Sequence, residues 1–389
     1  MSDKNDDTKQ SVQRTKRAVA ALFLLVSAST GFIGGWLGAT SHRQQNASMS
    51  ADVIRQSVVD EGTVITEIAD TVGESVVSVN VTSETTRQSF FGLPQQFDQE
   101  SAGTGFILNE DGVVLTNRHV IPEGVTEVSV TLSDGTELED VEVLGRTPDS
   151  DPLDIAFLKI NDKEGKDLQP VKLGNSSDTE VGEKVVAIGN ALGQFQNTVT
   201  SGIISGFGRS IFAQDAGGTD QLQNLFQTDA AINQGNSGGP LVNINGEVIG
   251  VNTAVAGGTA ENIGFAIPID DIKGVIEGVL EDGVVERPYL GVRYIQLNED
   301  IADTLNLETT QGAYLFVSGN RDPILDGSPA DDAGLQEKDI ITKVAGEELT
   351  SDTSLVTLIG RHRVGEKVEL TIVRDGEERT IIVTLEAAG

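Results

Sequence analysis

A series of short β-prone runs, each closed by a turn signal, most constrains what this chain can fold into. Between positions 103 and 268 they read GTGFILN, GVVLTN, EVSVTL, VEVLG, DIAFLKI, KVVAIG, GIISG, GEVIGVNT and IGFAIP. The pairs Asp111-Gly112, Asp134-Gly135 and Asn245-Gly246 punctuate them and favour tight hairpins. Many short strands with glycine-rich turns and few helices indicate antiparallel barrels or sandwiches. Helical spacing occurs at Val64, Ile65, Ile68, Ala69 and Val72, ahead of the β-type run Ser75–Val81. It recurs across Asp270–Leu280, with Gly283 as its stop. Thr82–Ala102, with Phe90, Phe91, Pro94 and Phe97 among Gln and Ser, reads as an exposed loop. Glu286-Arg287-Pro288 marks a boundary, after which residues 289–387 form a second unit with YLGV, SPADDAGL and the alternating runs KVELTIV and RTIIVTL.

Within the first unit lies Gly235-Asn236-Ser237-Gly238-Gly239-Pro240, one serine among three glycines closed by a proline. Glycine tolerates positive φ and close backbone approach, so such a turn can present a hydroxyl while aiming neighbouring N–H groups into one small cavity. Acyl transfer needs that geometry, because the oxyanion of a tetrahedral intermediate is held by such donors. The candidate donors are the N–H groups of Gly235 and Ser237, with Asn236 beside them. A glycine-rich surface turn is the alternative reading of this stretch alone.

A nucleophilic serine needs a base. The chain has three histidines, and His119, in LTNRHV, is the one that shares the β unit with Ser237; His42 and His362 lie elsewhere. A neutral imidazole suits base work near pH 7; a structural histidine at a strand end is the alternative. The orienting acid is sought among many carboxylates. Asp154 opens the apolar run DIAFLKI, where a carboxylate is costly to desolvate unless paired, and pairing with His119 Nδ1–H would fix the tautomer. Asp149 and Asp151, in TPDSDP, read as solvated or capping residues.

Composition removes other chemistries. With no cysteine there is no disulfide, thiolate metal site or cysteine nucleophile, and three histidines make a histidine-rich metal site untenable. No cofactor and no metal are called for. Sixty acidic against 27 basic residues give a formal charge of −33, which argues against nucleic acid as a partner. At molar salt the Debye length falls to about 3 Å and such self-repulsion is screened, which suggests a salt-loving source. Ala18–Thr40 runs 23 residues without a charge after Arg14, Lys16 and Arg17. That length favours a membrane anchor with its N-terminus inside; its Gly, Ala and Ser content leaves a cleaved signal as the alternative.

TNRHV, DIAFLKI and TDAAINQGNSGGP, in this order, resemble the HtrA (high-temperature-requirement) branch of the chymotrypsin-like serine proteases, with AGTGFIL, IGNALG, TVTSGIISGFGRS and IGFAIP at matching places. YLGV and SPADDAGL resemble the PDZ domain of that family. The resemblance implies a mostly β chain: a chymotrypsin-like double β-barrel protease domain, then a single α+β PDZ domain, behind an N-terminal transmembrane helix. The expected division is 1–17 cytoplasmic, 18–40 anchor or signal, 41–62 tether, 63–284 protease and 285–389 PDZ. Ser237 would be nucleophile, His119 base and Asp154 orienting acid, with Gly235, Asn236 and Ser237 at the oxyanion hole. Ala231, Ile232, Thr253 and Ala254 would line an uncharged pocket for small aliphatic side chains. Tyr289, Leu290, Gly291 and Val292 would form the carboxylate-binding loop, and Arg209, in the loop after Gly202–Gly206, would relay regulation. The resemblance further implies ATP-independent cleavage of unfolded or C-terminally exposed proteins outside the cytoplasm, by a homotrimer. A catalytically silent PDZ scaffold or chaperone, and a protease with one dedicated substrate, are the alternatives. Two departures stand out: Gln234 where the family often has proline, and Lys338-Asp339 for Gly-Asp, read as a surface change.

Overall fold

The computed structural model describes residues 51–88, 94–148, 151–191, 195–214, 219–233, 235–255, 263–319, 321–350 and 353–388. The apolar segment Ala18–Thr40, His42, Asp149 and Gln234 lie outside them. Among the described residues, no helix is long and apolar enough to cross a membrane.

Helix α1 (Ala51–Gly73) opens the described chain, so the second half of the expected tether, from Ala51 onward, is helical. Its Ile68 and Val72 are buried in the core of the unit that follows. Seven strands follow in one antiparallel sheet: β1 (Val76–Gln88), β2 (Pro94–Ile107), β3 (Val113–Thr116), β4 (Val125–Thr131), β5 (Glu137–Leu138), β6 (Val141–Arg146) and β7 (Ala156–Ile160). Their spatial order is β5-β4-β1-β2-β3-β7-β6. The expected loop Thr82–Ala102 is instead a paired hairpin: Thr82 faces Glu100, and the ladder runs out to Gln88 opposite Pro94. Thr82, Thr85 and Thr86 are β-branched, and residues of that kind fit a pleated surface whatever their polarity.

A second seven-stranded sheet has the order β12-β9-β10-β11-β14-β13-β8. It comprises β8 (Lys172–Leu173), β9 (Lys184–Ala191), β10 (Phe195–Gln214), β11 (Thr219–Thr228), β12 (Pro240–Asn243), β13 (Glu247–Val255) and β14 (Gly264–Pro268). Side chains on a strand alternate between faces, and here both faces are dry. Phe106, Leu115 and Phe157 point into the core shared by the two sheets, whereas Ile107, Val114 and Leu158 fill a core private to the first. Val186 and Ile188 join the shared core, while Val185 and Ala187 join the private core of the second sheet. Burial on both faces explains why these strands read as continuous apolar runs rather than alternating ones. Helix α2 (Lys273–Asp282), preceded by a 3-10 turn at Ile269–Ile272, seats Val275, Ile276 and Val279 on the shared core.

The C-terminal unit has its own core, containing Leu290, Leu315, Ile341, Leu358, Leu370 and Val383. Strands β15 (Pro288–Tyr289) and β22 (Glu386–Ala387) pair and close it. Its main sheet runs β16 (Ile295–Leu297), β17 (Gly312–Tyr314), β18 (Ile340–Val344), β20 (Lys367–Arg374) and β21 (Glu377–Thr384), with β19 (Glu347–Glu348) beside β18. Helices α3 (Glu299–Leu305), α4 (Pro329–Asp332) and α5 (Leu355–Gly360) complete it. Lys338-Asp339 is more than a surface change. Lys338 adopts φ 72°, a conformation that side chains disfavour. Asp339 is fully buried and receives Arg374 Nε and Nη2, both at 2.7 Å.

Candidate active site

His119 stands on a single 3-10 turn, Arg118–Val120, directly after β3. The turn is anchored from below. Arg118 is 2% exposed, and its Nη1 donates to the carbonyls of Pro148 (2.6 Å), Asp151 (3.2 Å) and Leu153 (3.2 Å). One guanidinium thereby ties the histidine turn to the segment that delivers Asp154. Asn117 Nδ2 adds a bond to the Asp154 carbonyl at 2.8 Å. Asp151 is buried: it accepts from Leu153 N at 2.8 Å and pairs with Arg287 Nη1 at 2.6 Å. It caps, as one reading of TPDSDP had it, and is not solvated.

Asp154 itself is 3% exposed. Its Oδ2 meets His119 Nδ1 at 2.6 Å and accepts from Thr253 Oγ1 at 2.7 Å, and its Oδ1 accepts the His119 backbone N–H at 3.0 Å. Burial alone would raise the carboxyl pKa, but the charge and hydrogen bonds of His119, with the Thr253 hydroxyl, outweigh it and hold the group below its ordinary value. The carboxylate is therefore ionised at neutral pH, and its grip on Nδ1 leaves Nε2 as the basic face of the ring.

The serine turn docks against the same place. Gly238 has φ 83°, and any side chain there would strike the Thr104 carbonyl on β2 and the hydroxyl of Thr116, which ends β3 just before Arg118 and His119. Its N–H donates to Asn252 O at 2.8 Å and Asn252 N returns a bond to Gly239 O at 2.9 Å, so β13 clamps the turn from behind. Within the turn the Asn233 carbonyl is the focus: it accepts from Asn236 N (3.0 Å), Ser237 N (3.3 Å) and Ser237 Oγ (3.3 Å). One expected oxyanion donor is thus turned inward in this structure. The Asn236 side chain does not face a cavity; it closes the turn, with Oδ1 accepting from Asn233 N and Nδ2 donating to Ala231 O, both at 2.9 Å.

The other sequence-derived residues are dispersed. Ile232 is 3% exposed within the core of the second sheet, and Ala231 is exposed. Thr253 spends its hydroxyl on Asp154 rather than on a pocket wall, and the Ala254 side chain lies outside the described set. Arg209 sits on β10 opposite Leu225, at an irregular register, not in a loop, and its Nε donates to Gln227 Oε1 at 3.0 Å. In the C-terminal unit, Leu290 O accepts from Ala330 N at 2.9 Å and Gly291 O from Leu325 N at 3.0 Å, which fastens the Tyr289–Val292 loop to the segment around α4. Arg118 and Asn233 escaped sequence reasoning in these roles, and Thr253, expected in the pocket, is instead a partner of Asp154. Only Arg118 carried a signal, a charged residue inside an otherwise buried run.

Fold and site define a class: a trypsin-like serine protease fold joined to one PDZ domain. A trypsin-like peptidase domain profile matches residues 103–251, and a PDZ domain profile matches residues 288–385. The chain belongs to the HtrA family of serine proteases. It is similar to the solved HtrA-type protease AlgW with a decapeptide, at 31% identity and TM-score 0.57 over 84% of this chain and 99% of that one. Among curated relatives it is 40% identical over 293 residues to a DegP-like periplasmic serine endoprotease of Ectopseudomonas mendocina, covering 75% of this chain and 57% of the relative. A counterpart from Hahella chejuensis is 39% identical over 302 residues, covering 76% and 60%. The chain thus spans less than two thirds of the length of these relatives.

Proposed function

We propose that the protein is a serine endopeptidase that needs no ATP, no cofactor and no metal, acting on unfolded or regulatory proteins outside the cytoplasm. The observation that carries this reading is the 2.6 Å contact of Asp154 Oδ2 with His119 Nδ1, made on a buried ionised carboxylate beside the Ser237 turn. His119 Nε2 takes the Ser237 hydroxyl proton as Oγ attacks the scissile carbonyl. It then gives that proton to the leaving amine, while Asp154 stabilises the imidazolium. The N–H groups of Gly235 and Ser237 hold the oxyanion once the Ser237 N–H leaves Asn233 O; at 3.3 Å that bond is long and readily exchanged. That inward bond supports the reading of a resting site that substrate or a C-terminal peptide opens.

PDZ control is supported by β16, which stands at the open edge of its sheet, where an extended C-terminus can add as a further strand. Its carboxylate would meet the Tyr289–Val292 loop. A preference for small aliphatic residues is part of the reading, supported by the absence of charge in the segments Ala231–Asn233 and Asn252–Val255. Arg209, held by Gln227, would relay the signal by changing partner. The name of the curated relatives, periplasmic, supports the extracytoplasmic placement; a trimer, an anchor at Ala18–Thr40, the domain limits 63–284 and 285–389, and a high-salt habitat complete the reading. The deciding experiment is labelling with a fluorophosphonate probe, comparing wild type with Ser237→Ala, with and without unfolded protein. Labelling confined to wild type and increased by substrate is expected. A wild type that never labels would leave a silent PDZ scaffold instead.

A further inference from the structure

Thr104, on β2, is 0% exposed and carries no role in the triad, yet four hydrogen bonds converge on it. Its N–H donates to the Ser237 carbonyl at 3.0 Å. Its Oγ1 donates to the Gly235 carbonyl and accepts from Asn190 N, both at 2.9 Å. Its own carbonyl accepts the Thr116 hydroxyl at 2.6 Å. A hydroxyl offers one proton and two lone pairs, and here the proton and one acceptor site are used, in opposite directions. The residue therefore grips the serine turn twice, once on each side of Asn236, and joins it to β9 through Asn190 and to the histidine strand through Thr116.

These two grips bracket the peptide that carries the Ser237 N–H. With the Gly235 and Ser237 carbonyls both fixed, the plane between them, whose N–H here faces Asn233 O, can swing toward the oxyanion only about two held ends. A donor works only where it lies about 2.7–3.1 Å from the developing oxyanion, so a turn that wandered would lose stabilisation without losing bound substrate. We propose that Thr104 is a positioning residue for Ser237: its hydroxyl and N–H hold the nucleophile turn in register, so that it acts on turnover and not on substrate affinity. This inference rests on the reading of Ser237 as nucleophile.

The chemistry specifies the side chain. Valine matches threonine in shape and strand preference but offers neither donor nor acceptor, whereas serine keeps the hydroxyl and drops a methyl. Three readings on purified full-length protein test the assignment: kcat and KM on casein, the second-order rate of fluorophosphonate labelling, and the melting midpoint. Thr104→Val should lower kcat and labelling together by about 10- to 100-fold, less than the 10²–10³ seen on deleting an oxyanion donor outright. KM should stay within about twofold. Thr104→Ser should recover most of the loss. If Thr104→Val does not fold, Thr104→Cys, whose thiol is a weak donor, is read the same way and should fall between wild type and inactive. A valine or cysteine variant that labels and turns over like wild type overturns the proposal. So does a loss that vanishes when assayed well below the melting midpoint, because that loss belongs to stability alone. A wild type that does not label at all rejects the nucleophile reading and this inference with it, a result distinct from equal labelling of wild type and variant.

Discussion

At Asp154 three donors converge on one carboxylate, and they fix its charge despite burial. Removing one member of that set has a different effect from removing the acid. Asp154→Asn presents an amide to Nδ1, holds the wrong tautomer and should lower kcat by about 10⁴-fold with substrate binding kept. A turnover near wild type would assign the acid to another residue. Thr253→Val removes a single bond to a charged group, worth about 1.5–3 kcal/mol, and should cut kcat modestly while lowering the melting midpoint. The pH dependence has a definite sign. The folded carboxyl is held below its ordinary value, so its contribution is complete above about pH 4, the unfolded value, and fades as pH falls through the lower folded value. The stability gap between wild type and Thr253→Val should therefore be full at pH 7 and close in acid. A gap independent of pH would show that the Thr253 bond does not act on the ionised form.

Two elements meet where the PDZ unit touches the protease: helix α5 and the 3-10 turn Ile269–Ile272. Gly360, at the end of α5, lies so close to Asp271 that any side chain would strike its backbone carbonyl. Polar groups fill the seam. Asn224 Nδ2 donates to Asp271 Oδ2 and to Thr357 Oγ1, both at 2.7 Å, and Arg361 bridges Ser177, Glu347 and Asp270. Asp271 is 1% exposed and its Oδ1 has no hydrogen-bond partner. Burial raises its carboxyl from 3.8 to about 6; the Asn224 and Thr357 bonds and the Arg287 charge oppose this, and Asp270 adds to it. Because the folded value is raised, the stabilisation is whole below about pH 4 and is lost as pH rises through about 6. Asp271→Asn, which is neutral throughout, should flatten this slope. Melting midpoints of both proteins between pH 4 and 8 check it; a wild-type slope that survives in Asp271→Asn would place the titration elsewhere.

Across the whole molecule, 60 acidic and 27 basic residues leave a net charge of −33. Among the described residues the ion pairs are mostly at the surface, such as Lys166 with Asp134 and Lys172 with Glu247, both at 2.6 Å. Exposed pairs of this kind contribute little each, so unpaired like charge dominates the long-range balance. Raising KCl from about 0.1 M to 1 M shortens the Debye length from about 10 to 3 Å, and the melting midpoint should rise markedly. A midpoint that stays level or falls would reject the high-salt reading and leave the protease reading intact.

The order TNRHV, DIAFLKI, GNSGGP was legible in the chain, and so were the β runs and the helix after Asp270, because each is encoded within about ten neighbouring residues by periodicity, turn chemistry or glycine content. The pairing of His119 with Asp154 followed from one further rule, that a buried carboxylate needs a partner. What lay beyond local patterns was decided by the tertiary structure. Thr253 reaches Asp154 across 99 residues and Thr104 reaches Gly235 across 131; neither leaves a periodic trace. The same holds for the hairpin of β1 and β2, where ladder pairing overrides a polar, Gln-rich composition. It holds also for Asn236, whose amide folds into its own turn instead of toward a ligand. A side chain's type limits which bonds it can make, but only the packed chain determines which donor and which acceptor arrive within about 3 Å of each other.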